Sequence, residues 1–257
     1  MGQGTKCLQV GQGTKCLQVG QGTKCLRPSS RSLPTSAHAF VDDLGAPALS
    51  ADDRHHLERV LRLRAGDPLT VSDGAGGRLA CRFGPALEPV GEVETLPRPE
   101  PRVTVAFAVV KGQRPEWAVQ KLTEIGVDRI VPLLSARSVV RWPAGEAGAQ
   151  VTRLRRVARE ASMQSRRVWL PVGDVVTPLE AMAAEPGAAL AHPGGGPPSL
   201  EHPVALIGPE GGWDEAELAG SGAALVGLGP SVLRTETAAV VAGALLCALR
   251  AGVVTPS

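Results

Sequence analysis

Two stretches near the C-terminus constrain this chain most: Val204-Ala-Leu-Ile-Gly-Pro-Glu-Gly-Gly212 and Leu225-Val-Gly-Leu-Gly-Pro-Ser-Val-Leu-Arg-Thr-Glu-Thr237. Each runs from a short apolar segment into a glycine-bearing loop and then into a helical pattern. An α/β sheet presents a ligand crevice in this way, at the carboxyl ends of its strands. Glycine has no Cβ, so main-chain amides and carbonyls can approach a ligand closely there. Neither loop reads G-x-G-x-x-G, and neither carries the Lys-Ser/Thr pair of a phosphate cradle. The expected ligand is therefore nucleoside-like, gripped by backbone, with no pyrophosphate on a helix end.

The chain upstream alternates strand and helix. Val103 to Val110 reads as a strand, and Pro115 opens a helix that stops at Gly126. Arg129 to Leu134 is the next strand, and a helix from about Gly148 to Ser165 follows. Val168 to Val172 reads as a short strand, Leu179 to Ala184 as a helix, and Ala188 to Ala191 as a strand ending at His192-Pro193. Val204 to Ile207, Ala224 to Leu228 and a final helix complete a largely parallel sheet. Three consecutive strand ends then converge on one crevice. Residues 37–96 are different: short apolar pieces punctuated by turn signals suggest a compact β-barrel. A short helix there has Ser50 as N-cap and Leu57, Val60 and Leu61 on its apolar face. Pro97, Pro99 and Pro101 mark a linker, 97–102, before a second domain, 103–257.

Composition narrows the class. At 43% hydrophobic and 20% charged, the chain can bury a core and reads as a soluble, cytoplasmic protein. The apolar run Ala238 to Leu249 spans twelve residues, too few for a bilayer, so no membrane partner is expected. The net charge of +2 implies no polyanionic partner by itself, but its distribution does. Between Arg137 and Arg167 eight arginines face only Glu146 and Glu160, which suits phosphate binding or a solvated, salt-bridged helix face. Cysteine and histidine spacing suggests neither zinc nor disulfides, so no metal is expected; His55-His56 read as surface residues. Within residues 1–36, Gly-Gln-Gly-Thr-Lys-Cys-Leu-Gln-Val recurs with period nine. The segment reads as a disordered extension without assigned function.

Several motifs now fall into order: His55-His-Leu-Glu-Arg-Val-Leu-Arg-Leu-Arg64, Lys111-Gly112 with Glu116-Trp117, Gln120-Lys-Leu-Thr-Glu-Ile-Gly126, Glu160-Ala-Ser-Met-Gln164-Ser-Arg166, Ile207-Gly-Pro-Glu-Gly-Gly212, and Leu228-Gly229 with Leu233-Arg-Thr-Glu-Thr-Ala238. Over roughly Phe40 to Leu249 the chain resembles the bacterial small-subunit (16S) ribosomal RNA uridine-N3 methyltransferases of the SPOUT superfamily. The resemblance implies a PUA-like N-terminal barrel and a C-terminal α/β domain with a trefoil knot and a mostly parallel sheet. It also implies knot-bound S-adenosylmethionine, a homodimer, and small-subunit ribosomal RNA as substrate within the 30S particle. The chain departs from the pattern where an Arg-rich start is replaced by Ala37-His-Ala-Phe-Val41. It also has no Tyr and only three Phe, so base stacking would fall to Arg planes, His or Trp.

The resemblance and the residue chemistry together give candidate roles. Uracil N3 becomes a good nucleophile only as its proton leaves, and negative charge then grows on O2 and O4. The enzyme must flip the uridine and set N3 in line with the methyl group. Arg234 and Arg166 are candidates to stabilise that charge, since arginine stays protonated and offers a fork of donors. Glu210 or Glu236 could take the proton, or each could serve the helix that begins just beyond it. His192, Pro193, Ile207, Gly208, Glu210, Gly211, Gly212, Leu228, Gly229, Val232, Leu233, Thr235 and Thr237 are expected around the cofactor. Arg59, Arg62, Arg64, Lys111, Arg137, Arg141, Arg166 and Arg167 are expected to hold RNA. Gln120, Lys121 and Glu124 share a helical face suited either to an inter-helix or dimer network or to substrate; Trp117 and Trp213 read as packing residues. A non-catalytic RNA-binding or ribosome-assembly protein, or a SPOUT enzyme acting on another RNA, remains the rival reading.

Overall fold

Two β-sheets organise the molecule. The structure, a computed structural model, describes residues 37–255 apart from 111, 139–141 and 143. The nonapeptide repeat therefore lies outside the described residues. The first sheet contains β1 (Ala37–Phe40), β2 (Pro68–Ser72), β3 (Gly77–Arg82), β4 (Glu88–Pro89) and β5 (Glu94–Thr95). β1 runs parallel to β2, whereas β2, β4 and β5 all pair antiparallel with β3. Between β1 and β2 lies α1 (Ala51–His55), followed by a π-helical turn, His56–Val60. The Ser50 hydroxyl accepts from the Asp53 amide at 3.1 Å, closing the first turn as its N-cap.

The π-turn changes which residues face inward. Leu57 is fully buried, but Val60 and Leu61, expected on the same apolar face, are exposed. A π-turn adds a residue per turn and rotates everything beyond it away from the α-helical register. Arg62 then adopts φ 57°, which ends the helix. Asp53 is buried because Arg159, from a distant helix, forms hydrogen bonds to both its carboxylate oxygens at 2.9 and 2.7 Å.

The second sheet is wholly parallel. Its elements are β6 (Thr104–Ala108), α2 (Arg114–Ile125), β7 (Arg129–Leu134), α3 (Ala144–Ser165), β8 (Val172–Gly173), β9 (Thr177–Pro178), α4 (Leu179–Ala183), β10 (Ala188–Gly196), β11 (Val204–Ile207), α5 (Glu215–Ser221), β12 (Ala224–Val226) and α6 (Thr235–Arg250). The strand order is β12-β10-β11-β6-β7-β8, with β9 also on β7. Alternate residues feed two cores, as the two-residue strand period requires. Val105, Phe107, Ala205 and Ile207 join the core with α2, α3 and α6; Ala106, Leu206, Val131 and Leu133 join the one containing Leu179 and Met182. Gly126, at φ 111°, stops α2 where the sequence placed the stop. Among the described residues, no helix is long and apolar enough to cross a membrane.

Two local expectations need correction. Val168 to Leu170 do not extend the parallel sheet. They run against the turn before β3, with Leu170 N–H donating to Gly74 O at 3.0 Å and Gly76 N–H to Val168 O at 3.2 Å. Of this segment, only Val172–Gly173 joins the sheet, pairing with β7. The approach is so close that a Cβ on Gly76, already at φ 100°, would lie 2.4 Å from the Trp169 ring. Likewise, β10 does not end before His192-Pro193 but continues to Gly196. Its register against β12 shifts between Ala191 and Gly196, which places His192 and Pro193 in an irregular stretch.

His38 sits at the junction of the two sheets' elements. Its Nε2 lies 3.2 Å from the carbonyl of Arg167, which can only accept, so Nε2 carries the proton. Nδ1 then accepts from the Thr70 hydroxyl at 2.8 Å. Burial lowers the imidazole pKa to about 4, with the charges of Arg78 and Arg166 acting in the same direction against the Arg167 hydrogen bond. The unfolded chain takes up this proton near pH 6.5 and the folded chain only near pH 4. Stability is therefore lost as pH falls through that window and is unaffected by His38 above it. Urea unfolding at pH 7 and pH 4 should show wild type losing about 3 kcal/mol more than His38→Gln. Equal losses would contradict this account.

Candidate active site

The adjacency of β10, β11 and β12 brings their carboxyl-end segments into one cleft of about 310 Å³. Ala191, His192 and Pro193 form one wall, Ile207 to Trp213 the second, and Leu228 to Leu233 the third, with Thr235 and Ala238 of α6 behind. Side chains tie these loops to one another. The Thr235 hydroxyl donates to Gly208 O, and Trp213 Nε1–H donates to Ala191 O, both at 2.9 Å. Arg137 donates to Gly211 O at 3.1 Å and reaches Asp214 at 3.3 Å. Asp214 and Glu217 form a capping box that starts α5 directly beyond the loop. Gly212 at φ 70° and Gly229 at φ 131° occupy backbone conformations that glycine adopts freely. Much of the lining is thus main chain and small apolar side chain, a surface shaped for a flat, partly polar ligand.

Most of the expected cofactor set lines this cleft: His192, Pro193, Ile207, Gly208, Glu210, Gly211, Gly212, Leu228, Gly229, Val232, Leu233 and Thr235. Thr237 does not. It stands two residues past Thr235 on α6, about 200° around the helix, outside the wall. Val232 is 93% exposed and forms the rim. Arg234 is exposed at the N-cap position of α6, next to the cleft but outside its lining. Arg166, paired with it in the sequence reading, lies elsewhere. It lines a second groove of about 810 Å³ between the π-turn and α3, alongside His55, His56, Arg156 and Gln164. The chain therefore does not bring Arg166 and Arg234 into one cavity.

Glu210 and Glu236 do meet, through a residue that the sequence did not flag. The Arg114 guanidinium lies 3.1 Å from Glu210 and 3.7 Å from Glu236. Glu210 has no role in starting α5, because Asp214 fills it. Glu236 lies in the first turn of α6, is only 7% exposed, and its Oε2 has no hydrogen-bond partner among the described residues.

Several arginines of the arginine-rich segment have partners within the fold. Arg153 pairs with Glu116, Arg156 with Glu160, and Arg159 with Asp53, while Arg155 donates to Gly173 O. Arg167 is a correction to the RNA set. Its side chain turns inward, donates to the carbonyls of Thr123 and Val127 at 2.8 Å each, and faces buried Asp128. Arg59, Arg62, Arg64 and Arg166 are exposed. Lys111 and Arg141 lie outside the described residues. Trp213 is buried as expected, but Trp117 is 45% exposed on α2, where Lys121 pairs with Glu124 and Gln120 faces solvent.

Comparison with known proteins gives the class first. A family model described as an RNA methyltransferase domain matches residues 98–247, more than half of the chain. The chain is 34% identical over 230 residues to ribosomal RNA small subunit methyltransferase E of Mycobacterium bovis, covering 79% of this chain and 88% of that one. A crystal structure of a probable rRNA-methyltransferase from Porphyromonas gingivalis superposes with TM-score 0.71 at 33% identity, covering 85% of this chain and all of the other. The Neisseria gonorrhoeae ribosomal RNA small subunit methyltransferase E, solved bound to S-adenosyl methionine, superposes with TM-score 0.68 at 26% identity, covering 83% and 97%. This chain belongs to the ribosomal RNA small subunit methyltransferase E family.

Two further glycines let the β10 and β12 segments beside the cleft pack backbone to backbone. A Cβ on Gly195 would lie 2.6 Å from the main chain of Val226, and one on Gly227 would lie 2.8 Å from Gly195 O. Backbone cannot yield as a side-chain tip can. Gly195→Ala should therefore destabilise the protein by about 1–3 kcal/mol in urea unfolding. Gly196→Ala, whose Cβ meets only Leu225 O at 3.9 Å, should cost far less. Equal effects would contradict this packing.

Proposed function

We propose that the protein transfers a methyl group from S-adenosylmethionine to N3 of a uridine in small-subunit ribosomal RNA, acting in the cytoplasm as a homodimer on the 30S particle. The observation that carries this reading is the convergence of three strand-end loops on one backbone-lined cleft. The cleft's size suits a nucleoside-sized group. Its apolar walls (Ile207, Leu228, Leu233) and the main chain of Gly208 to Gly212 and Leu228 to Leu233 would hold adenosine. The bound cofactor would supply an electrophilic sulfonium methyl.

The chain's own residues do the rest. Arg234, at the start of α6, would stabilise the negative charge that develops on the uracil oxygens. Glu236 is the favoured proton acceptor, since it is buried with one oxygen unpartnered, and Glu210 stands across Arg114 from it. Arg166, in the groove between the π-turn and α3, is assigned to gripping RNA together with Arg59, Arg62 and Arg64, exposed on or just beyond the π-turn; Lys111, Arg137 and Arg141 would extend the grip. The first sheet, residues 37–96, would be a PUA-like RNA-binding barrel, 97–102 its linker, and 103–257 a SPOUT domain with a trefoil knot. Exposed Trp117 supports an interface with a second copy.

Deleting the gene and mapping small-subunit ribosomal RNA by mass spectrometry tests the substrate. The proposal expects one N3-methyluridine to disappear and to return on complementation with wild type. Persistence of that mark in the deletion strain would refute the substrate assignment.

A further inference from the structure

The cleft's loops are joined to α6 by Thr235, but the charged groups beside it are joined by Arg114, which comes from a different part of the sheet. Arg114 opens α2, after β6. Glu210 belongs to the loop after β11, and Glu236 to the first turn of α6. One guanidinium thus faces two carboxylates from two separate elements, with Nη1 3.1 Å from Glu210 and 3.7 Å from Glu236. The arrangement leaves one negative charge in excess. It also leaves Glu236 Oε2 buried with no donor among the described residues, whereas Glu210 is half exposed and can exchange its partner for water. An unmet acceptor on a buried carboxylate is costly and is retained where something else is to donate to it.

We infer that Arg114 is a positioning residue for methyl transfer, acting through Glu236: its guanidinium, 3.7 Å away, attracts and orients the Glu236 carboxylate. This inference rests on the methyl-transfer reading above. Arginine suits the task because its charge is spread over a planar group that can stay hydrogen-bonded to Glu210 while attracting Glu236, whereas a lysine ammonium is a point charge. At 42% exposure the side chain adds little to stability, so its removal should disturb the site more than the fold.

Full-length wild type, Arg114→Ala, Arg114→Lys, Glu236→Gln, Glu210→Gln and the two double variants with Arg114→Ala would be compared in single-turnover methylation of 30S subunits lacking the mark. Arg114→Ala should slow the rate at least tenfold while leaving the thermal midpoint near wild type, and Arg114→Lys should recover part of the loss. In the Glu236→Gln background the same substitution should slow the reaction less than twofold; in the Glu210→Gln background it should keep its full effect. Wild-type turnover in Arg114→Ala, or equal losses in both backgrounds, would overturn the inference. An inactive wild type would overturn the methyl-transfer reading and this inference together, whereas an active wild type with an equally active Arg114→Ala overturns the inference alone.

Discussion

Everything at the cleft depends on how closely three main-chain segments can approach one another. The sheet order places β12, β10 and β11 side by side, and their loops then meet without long side chains between them. Gly195 and Gly227 allow the β10 and β12 segments to touch backbone to backbone. Gly208 packs under the Trp213 ring, where a Cβ would sit 3.1 Å away. Two hydrogen bonds, Thr235 to Gly208 O and Trp213 to Ala191 O, then fix the loops relative to α6 and β10. A pocket so built presents fixed amides and carbonyls, and so loses little to reorganisation when a ligand enters.

Charge is distributed by the same economy of space. Of the described arginines from Arg137 to Arg167, Arg159 and Arg167 are drawn into the fold, whereas Arg137, Arg153, Arg155, Arg156 and Arg166 are exposed. Arg159 reaches Asp53 and lies 5.6 Å from the Phe40 ring, tying α3 to the first sheet, while Arg167 holds the turn between α2 and β7. Met163, Trp169 and the neutral imidazole of His38 complete that junction. Among the described members of that segment, Arg156 and Arg166 are exposed along the groove beside α3, Arg156 paired with Glu160. A local charge count therefore overstated the free positive surface, because the count holds no information about long-range acidic partners such as Asp53 or Glu116.

The elements that the sequence made legible are those with local causes. Arg129–Leu134 and Val204–Ile207 are apolar runs bounded by clear breakers, and both are strands over those residues. Ser50 and Gly126 act as caps through their own geometry. The convergence of the glycine loops was readable from strand–loop–helix order alone. What escaped has non-local causes. The π-turn that exposes Val60 and Leu61 conforms to no sequence period. Val168–Leu170 was lost to the parallel sheet because the turn at Gly74–Gly76 competes for its hydrogen bonds. Arg114 acquires meaning only from partners ninety-six and more residues away. Thr237 shares the motif, but helical rotation turns it away from the cleft's lining.

The most direct test of the central claim is amide hydrogen exchange with and without S-adenosylmethionine. Main-chain capture predicts slowed exchange concentrated at Gly208 to Gly212, Leu228 to Leu233 and the irregular stretch at His192, with little change in the groove beside α3. Unchanged exchange in those loops, or protection centred on the groove between the π-turn and α3, would contradict it.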